Sequence, residues 1–184
     1  SKMLDHNVLV RKAEGIETAG SLNILFSDKT GTITKGSLEV VEFFTADGQV
    51  IPIPELSGHV QVKGLLDLAI GKNTQSMFDA GHKVIGGNAT DQALMKFLGE
   101  DAFHTLEGNK EYQILASQGF NSMNKFSQAA VQGTGKTFYK GAPERLLAKA
   151  KKYLDKDGQV QTLDKAVLDQ KIDALAEKAM RVLA

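Results

Sequence analysis

The sequence contains no cysteine and only three prolines among its 184 residues. Without cysteine, neither disulfide bonds nor thiolate metal sites can hold the chain together, so its stability must come from packing. No uninterrupted apolar run reaches the ~18 to 20 residues of a membrane-spanning helix, and the N-terminus lacks the basic and apolar segments of a signal peptide. We therefore expect this stretch of chain to be soluble and intracellular.

An excess of charge of either sign is also missing. Lys and Arg together number 22, as do Asp and Glu, so the formal net charge is zero. The chain therefore has no net positive charge that would attract nucleic acid or an anionic membrane, which disfavours a polyanion-binding role. The length suits one good hydrophobic core, or one domain with part of a second. The apolar share of 42% is ordinary for a folded domain.

The hydrophobic patterns predict an α+β fold with strands and helices in segregated groups. Strands are predicted over residues 7–11, 23–27, 38–45, 49–53, 112–117, 126–132 and 136–140. Helices are predicted over residues 58–70, 91–98 with Thr90 as N-cap, 142–154 with Pro143 in the first turn, and about 163–180. Turns are predicted at Asp47-Gly48, Gly133-Thr134-Gly135 and Asp157-Gly158.

The clearest chemical signal is the polar run from Asp28 to Thr34, which directly follows an apolar strand. It reads Asp-Lys-Thr-Gly-Thr-Ile-Thr. A carboxylate at the C-terminal edge of a strand can attack phosphorus, while hydroxyls and backbone amides of the next turn hold phosphate oxygens. Asp28 is therefore a candidate nucleophile. The plain alternative is a turn that only joins two elements.

This run resembles the phosphorylation motif of P-type ATPases, and further segments of the chain are similar to other motifs of that family in the same order. They lie at residues 9–12, 15–18, 87–94, 120–127, 140–144 and 180–184. The resemblance implies the ATP-binding cytoplasmic part of a cation-transporting pump, cut out of a larger integral membrane protein. Its transported ion is expected to be calcium, with proton, magnesium or sodium/potassium pumps as alternatives.

The resemblance also implies the residues of an adenosine pocket. Asp91 would face the adenine amino group, Phe120 would stack on the base, and Lys125 would reach the nucleotide. Lys140 and Gly141 would line the deep end of the pocket. The structural alternatives are a helix cap for Asp91, a core position for Phe120 and a solvated strand end for Lys140.

Phosphate chemistry is implied at both ends of the chain. Arg181 would contact the nucleotide phosphates. Asp28, Lys29 and Thr30 would be the catalytic residues, and Mg²⁺ would be bound at Asp28 and Thr30 in the intact pump. The remaining acidic loop of that site belongs to a later part of the family's phosphorylation domain, so we expect this chain to bind ATP without forming an aspartyl phosphate.

Two positions depart from the family pattern. Asp91 is one methylene shorter than the usual Glu, and Ser122 stands where many relatives carry an Arg. The second difference predicts that one phosphate contact of the family is either missing or supplied by another residue.

The resemblance divides the chain into two parts. Residues 1–36 would form the entering arm of an incomplete α/β phosphorylation domain of the haloacid-dehalogenase type. Residues 37–184 would form the nucleotide-binding domain, a twisted antiparallel sheet flanked by helices. The implied partners are ATP, the rest of the phosphorylation domain, an actuator domain and transmembrane helices at the cytoplasmic face of the membrane.

Three other interpretations were weighed against this one. A stand-alone phosphohydrolase of the dehalogenase type needs a second Asp two residues after the nucleophile, where this chain has Thr30. A non-catalytic interaction domain would not bind ATP at all. Residues 133–137 resemble the end of a P-loop but lack its earlier glycine, so a hairpin turn is predicted there. The four histidines are widely spaced and predict no metal cluster.

Overall fold

The computed structural model describes residues 21–29, 38–177 and 181–184. Its strands are β1 (Ser21–Lys29), β2 (Leu38–Thr45), β3 (Val50–Ile51), β4 (Met77–Phe78), β5 (Val84–Ile85), β6 (Ile114–Asn121), β7 (Phe126–Val131), β8 (Lys136–Gly141), β9 (Lys152–Leu154), β10 (Val160–Thr162) and β11 (Arg181–Leu183). Its α-helices are α1 (Val60–Lys72), α2 (Ala89–Leu98), α3 (Glu100–Gly108), α4 (Pro143–Leu147) and α5 (Lys165–Glu177), and a 3-10 helix spans Ile53–Gly58. The predicted strand over residues 7–11 lies outside the described residues.

A six-stranded sheet is built around β1. Its order is β10-β9-β1-β2-β3, and β11 also pairs with β1. Strand β1 runs antiparallel to β2 and β11 and parallel to β9. The β2–β3 hairpin turns at Asp47-Gly48 as predicted, and the Asp47 carboxylate accepts a hydrogen bond from the Gln49 amide at 3.1 Å.

Helices cover both faces of this sheet. Because successive residues of a strand point to opposite faces, the two phenylalanines of β2 enter different cores. Phe43 packs with residues of α1, α2 and α3, and the cluster includes Leu66, Ile70, Leu94, Met95 and Phe103. Phe44 packs with residues of α4 and α5, in a cluster that includes Leu146, Leu147, Leu168 and Leu175. The predicted α+β fold with flanking helices is confirmed.

A second, three-stranded antiparallel sheet has the order β6-β7-β8. Its central strand β7 is buried from Ser127 to Val131. The turn between β7 and β8 contains Gly133 and Gly135, both with positive φ, so residues 133–137 form the predicted hairpin turn and not a phosphate loop. Reciprocal backbone hydrogen bonds between Gly141 and Ala184, at 2.9 and 3.0 Å, join this sheet to the end of β11.

Two secondary-structure predictions were wrong, and one helix was not predicted. The predicted helix over residues 142–154 ends at Leu147, and residues 152–154 instead pair with β1 and with β10 across the Asp157-Gly158 turn. The N-cap of α2 is Asn88, whose side chain accepts from the Asp91 amide at 2.8 Å, and not Thr90. Helix α3 was not predicted, because it is short and buries few apolar side chains between two glycines.

His82 ties the β4–β5 ribbon to the first turn of α3. Its Nδ1 lies 2.9 and 2.8 Å from the two carboxylate oxygens of Glu100. The hydrogen bond and the charge of Glu100 raise the pKa of His82, and the same contact lowers the pKa of Glu100. The exposed pair therefore adds to stability while His82 is protonated and Glu100 is ionised.

Replacing Glu100 by glutamine is expected to lower the pKa of His82 toward its ordinary value, as followed by NMR of the ring protons. Because the folded-state pKa of His82 is raised, the lost stabilisation is present below its unfolded pKa and disappears as pH rises through the folded pKa. The variant and the wild type should thus differ in stability at about pH 5 to 6, and they should converge only as pH rises above about 6.5 and through the raised folded pKa. Asp101→Asn is the matched control, and an unchanged pKa in Glu100→Gln would contradict the pairing.

Candidate functional site

The ammonium of Lys140 is buried at the end of β8. Its Nζ donates to the Asp91 carboxylate at 2.6 Å and to the backbone carbonyl of Asn73 at 2.5 Å. Only 12% of the side chain is exposed. Burial lowers the pKa of Lys140, and the negative charge of Asp91 opposes that shift. Lys140 is therefore not a solvated strand end.

Asp91 lies in the first turn of α2, and its side chain is 9% exposed. One carboxylate oxygen pairs with Lys140, and the other accepts a hydrogen bond from the backbone N–H of Gln75 at 3.4 Å. Gly87 has φ +72°, and a Cβ at this glycine would lie 2.7 Å from the Cβ of Asp91. The backbone of Gly87 thus covers the base of this side chain, and only glycine fits so closely in that conformation.

Asn73 connects the end of α1 to the second sheet. Its buried side chain donates to the carbonyls of Ser127 and Phe138, both at 3.1 Å. The same residue supplies the carbonyl that accepts from Lys140. Asn73 therefore fixes the segment that carries one of the two partners of the lysine.

Phe120 lies near the end of β6, where the pairing with β7 shifts register between Gln118 and Asn121. Its side chain is 56% exposed, so it does not occupy a core position. The preceding residue, Gly119, lies against the side chain of Gln75, whose Nε2 would be 3.5 Å from an added Cβ. Phe120 is thus next to the segment that contains Asn73 and Gln75.

Ser127 of β7 is directly opposite Lys140 of β8, so their side chains share one face of the sheet. Its hydroxyl oxygen is buried and has no hydrogen-bond partner among the described residues. A buried polar atom without a partner beside a buried ammonium fits a pocket that receives a polar ligand group.

Lys125 and Gly141 meet where the β6–β7 turn passes the end of β8. Lys125 is exposed, with φ 63°, and its carbonyl accepts from the Ala142 amide at 3.0 Å. A Cβ at Gly141 would overlap that carbonyl and Phe126. The structure thereby brings Asp91, Phe120, Lys125, Lys140 and Gly141 to one region around β8.

For Asp28, Lys29 and Arg181, the residues implied in phosphate chemistry, the structure gives the positions of the backbones in the sheet. Asp28 is the penultimate residue of β1 and pairs with Glu39, and Lys29 ends that strand. Arg181 pairs with Ser27, one residue before Asp28. Thr30 lies outside the described residues, and so does the rest of its turn. Strand β11 begins at this pairing and ends at Leu183, and the next residue, Ala184, is hydrogen-bonded to Gly141, the neighbour of Lys140.

Comparison with known proteins assigns the family. The family model described as P-type ATPase, cytoplasmic domain N, matches residues 64–184. The chain belongs to this family. Its mixed helices and antiparallel sheets are consistent with a P-type ATPase N domain. Within the described residues of this N domain, no helix is long and apolar enough to span a membrane.

Curated P-type ATPases are similar to this chain over nearly its whole length. The chain is 30% identical to calcium-transporting ATPase 9, plasma membrane-type, of Arabidopsis thaliana, covering 100% of the chain and 18% of that protein. It is 31% identical to calcium-transporting ATPase PAT1 of Dictyostelium discoideum, covering 99% and 17%. It is 29% identical to sodium/potassium-transporting ATPase subunit alpha-1 of Oreochromis mossambicus, covering 96% and 19%. The chain thus spans less than a fifth of these relatives.

Gly141 is packed closely against the backbone of the β6–β7 turn. An added methyl group would lie 2.3 Å from the Lys125 carbonyl oxygen and 2.6 Å from the Phe126 Cα, and backbone atoms cannot move aside as side chains do. Gly141→Ala is expected to lower the free energy of unfolding by about 1 to 3 kcal/mol, as measured by urea denaturation. Gly108→Ala serves as the control, because an added Cβ there has no neighbour within 4 Å and the backbone does not have a positive φ. Equal stability of Gly141→Ala and wild type would contradict this packing.

Four contributors to the N-domain site were missed by sequence reasoning: Asn73, Gln75, Gly119 and Ser127. Asn73 and Gln75 contribute backbone groups, and the partners of these groups depend on tertiary contacts that leave no pattern in the sequence. Gly119 did have a signal, since a glycine next to an exposed aromatic allows another segment to approach closely.

Proposed function

We propose that this chain binds ATP in an adenosine pocket formed by Asp91, Phe120 and Lys140, as the nucleotide-binding part of a P-type cation pump. The observation that carries the proposal is the buried Lys140–Asp91 ion pair, whose partner Gln75 also contacts the strand that carries the exposed ring of Phe120. A stabilising role alone does not explain a buried ion pair well, because apolar residues of similar volume often stabilise a fold equally well. A buried lysine whose pKa is lowered is, by contrast, typical of a functional site.

Each part of the pocket suits one part of adenosine. The exposed face of Phe120 can stack on the base, which contributes ~1 to 3 kcal/mol in comparable sites. The Lys140 ammonium and the unpartnered Ser127 hydroxyl offer polar contacts at the same face of the sheet. Gly141 lets the backbone of Lys125 and Phe126 pack against the end of β8, because it has no side chain, and this keeps Lys125 close to the strand of Lys140.

The phosphates would extend from the pocket toward the edge of the molecule. Lys125 is exposed at the β6–β7 turn, next to Gly141, and provides a positive charge there. Arg181 would add a second charge, since β11 connects the neighbourhood of Gly141 to the strand of Asp28. This path leads from the adenosine pocket to the candidate nucleophile.

In the full-length protein, Asp28 would accept the γ-phosphoryl group, with Lys29 and Thr30 as the other catalytic residues of the motif. Mg²⁺ held at Asp28 and Thr30 would neutralise phosphate charge there. We place the boundary between the phosphorylation-domain arm, residues 1–36, and the nucleotide-binding domain, residues 37–184. The family match from residue 64 onward supports the second part of that division.

The transport function would require parts of the pump that lie beyond this chain, namely the rest of the phosphorylation domain, an actuator domain and membrane helices. The chain would sit at the cytoplasmic face of the membrane and couple ATP hydrolysis to cation movement. The calcium-transporting names of several relatives favour calcium as the ion. By itself the chain would bind ATP without hydrolysing it.

Displacement of a fluorescent trinitrophenyl-ATP from the chain tests this proposal. An adenosine pocket predicts that ATP, ADP and AMP displace the probe, whereas inorganic triphosphate does not. Displacement by triphosphate alone would indicate a site for phosphate only and contradict the proposal. Incubation with γ-labelled ATP is expected to leave no acid-stable phosphoprotein and no released phosphate; release of phosphate would favour a stand-alone phosphohydrolase.

A further inference from the structure

One face of the second sheet carries a row of polar side chains. Gln118 of β6, Gln128 of β7 and Tyr139 of β8 are direct neighbours in the register, so their side chains share this face. Thr137 precedes Tyr139 by two residues on the same strand and points to the same side. Lys140 follows Tyr139 and points to the opposite face. The row is therefore separate from the residues that we propose to bind ATP.

Three polar atoms on this face are buried and have no hydrogen-bond partner among the described residues. They are Oε1 of Gln128, Oγ1 of Thr137 and the hydroxyl oxygen of Tyr139. The whole Gln128 residue is only 6% exposed. Buried polar atoms in folded proteins nearly always bond to another protein group or to ordered water. Three such atoms on one face of one small sheet indicate a common partner.

The side chains of Gln128 and Tyr139 are held in place by their neighbours. Nε2 of Gln128 donates to Oε1 of Gln118 at 3.1 Å, which fixes the orientation of the Gln128 amide. The Tyr139 ring meets the Phe126 ring edge to face, with centroids 5.5 Å apart and an interplanar angle of 70°. Both rings also pack against the hydrophobic cluster of Phe44. Neither polar atom can therefore swing out to solvent to find a partner there.

We propose that this face binds an ordered water molecule, which bridges the Tyr139 hydroxyl, the Gln128 side-chain oxygen and the Thr137 hydroxyl. The Tyr139 hydroxyl can donate to the water, and the water can donate to Gln128 and to Thr137. Three hydrogen bonds are typical of a buried water molecule. The bridge would join β7 to β8 on the side of the sheet that faces away from Lys140.

The surroundings suit water better than an ion. The row contains no charged side chain, and burial raises the pKa of Tyr139, so its hydroxyl keeps its proton at physiological pH. Next to the row, Ala116 and Ala130 pair with each other and form a small buried cluster of their own, and Ala130 lies opposite Thr137. Because alanine side chains end at Cβ, they leave more space at this end of the face than larger side chains would.

Replacement of Tyr139 by phenylalanine tests the proposal through the sign of its effect. If water satisfies the hydroxyl, the variant loses a hydrogen bond, and its unfolding equilibrium constant from urea denaturation should rise on the order of fivefold. If the hydroxyl has no partner, the variant loses a buried unsatisfied group, and the constant should stay the same or fall, which would overturn the proposal. Tyr153→Phe calibrates the loss, because the Tyr153 hydroxyl donates directly to the Asp47 carboxylate at 3.3 Å.

A second variant tests whether one water molecule is shared. Thr137→Val removes the other hydroxyl and keeps the shape of the side chain. Because a single bridging water would serve both hydroxyls, the double variant Tyr139→Phe with Thr137→Val should raise the unfolding constant by less than the product of the two single effects. Effects that multiply independently would overturn the shared site.

Counting long-lived water molecules tests the site in the folded chain. Magnetic relaxation dispersion of the water oxygen nuclei measures how many water molecules stay bound for longer than the protein takes to rotate. We expect one fewer in the double variant than in the wild type. Equal numbers would overturn the proposal. This readout requires no nucleotide, so its failure is distinct from a failure of the proposed ATP binding.

Discussion

Replacement of Lys140 by methionine is expected to abolish ATP binding and to lower the free energy of unfolding by about 3 to 5 kcal/mol. Methionine keeps most of the side-chain volume but removes the ammonium, so the carboxylate of Asp91 remains buried without its partner. The carbonyl of Asn73 loses its partner as well. Urea denaturation and an ATP titration of the same preparation measure the two effects.

Two further variants isolate the ion pair. Lys136→Met changes an exposed lysine at the other end of the same strand and should alter neither stability nor ATP binding. The double variant Lys140→Met with Asp91→Asn should regain part of the lost stability, because no uncompensated charge is left buried, and should still fail to bind ATP. ATP binding by Lys140→Met at wild-type affinity would show that the lysine does not face the nucleotide.

Replacement of Phe120 by alanine is expected to weaken ATP binding by about 5- to 150-fold, which corresponds to the loss of ~1 to 3 kcal/mol of stacking. The free energy of unfolding should change by less than about 0.5 kcal/mol, because the ring is 56% exposed and lies outside both hydrophobic clusters. Calorimetric titration with ATP measures the first quantity and urea denaturation the second.

Two kinds of control apply to Phe120: an exposed apolar residue of the same strand, and aromatic replacements of Phe120 itself. Leu115 is an exposed apolar residue of β6, and Leu115→Ala should leave ATP binding unchanged. Phe120→Tyr and Phe120→Trp should retain most of the affinity, since both keep a π-face. If Phe120→Ala lost stability and kept its ATP affinity, Phe120 would be a packing residue and not a platform for the base.

The hairpins could be predicted from local residues alone. Asp47-Gly48 and the Gly133-Thr134-Gly135 turn specify a tight reversal of the chain between two apolar segments, and the structure has a hairpin at each. The segment 152–154 shows the limit of such reasoning. Its composition suits a helix, but it becomes a strand because it pairs with β1, far away in the sequence. Tertiary pairing thus overrides local propensity.

The candidate site likewise contains residues that the sequence predicted and residues that only the folded structure shows. Phe120, Lys140 and Gly141 were predicted from contiguous motifs; in the structure the Phe120 ring is exposed, the Lys140 ammonium is buried and Gly141 packs against the Lys125 carbonyl. The role of Asn73 could not be predicted, because its side chain binds two carbonyls that only the folded sheet brings together. The pairing of Asp91 with Lys140 was missed for a similar reason, since the two residues lie on different elements and at different motifs.

Chemical-shift mapping of the labelled chain with ATP tests the nucleotide-binding account most directly. The account predicts a dissociation constant of about 0.1 mM to several mM, equivalent to roughly 3 to 5 kcal/mol. The largest shifts should fall at Gln75, Asp91, Phe120 and Lys140, and they should be absent in Phe120→Ala and Lys140→Met. A folded chain that shows no shifts at several mM ATP, or shifts only elsewhere, would contradict it.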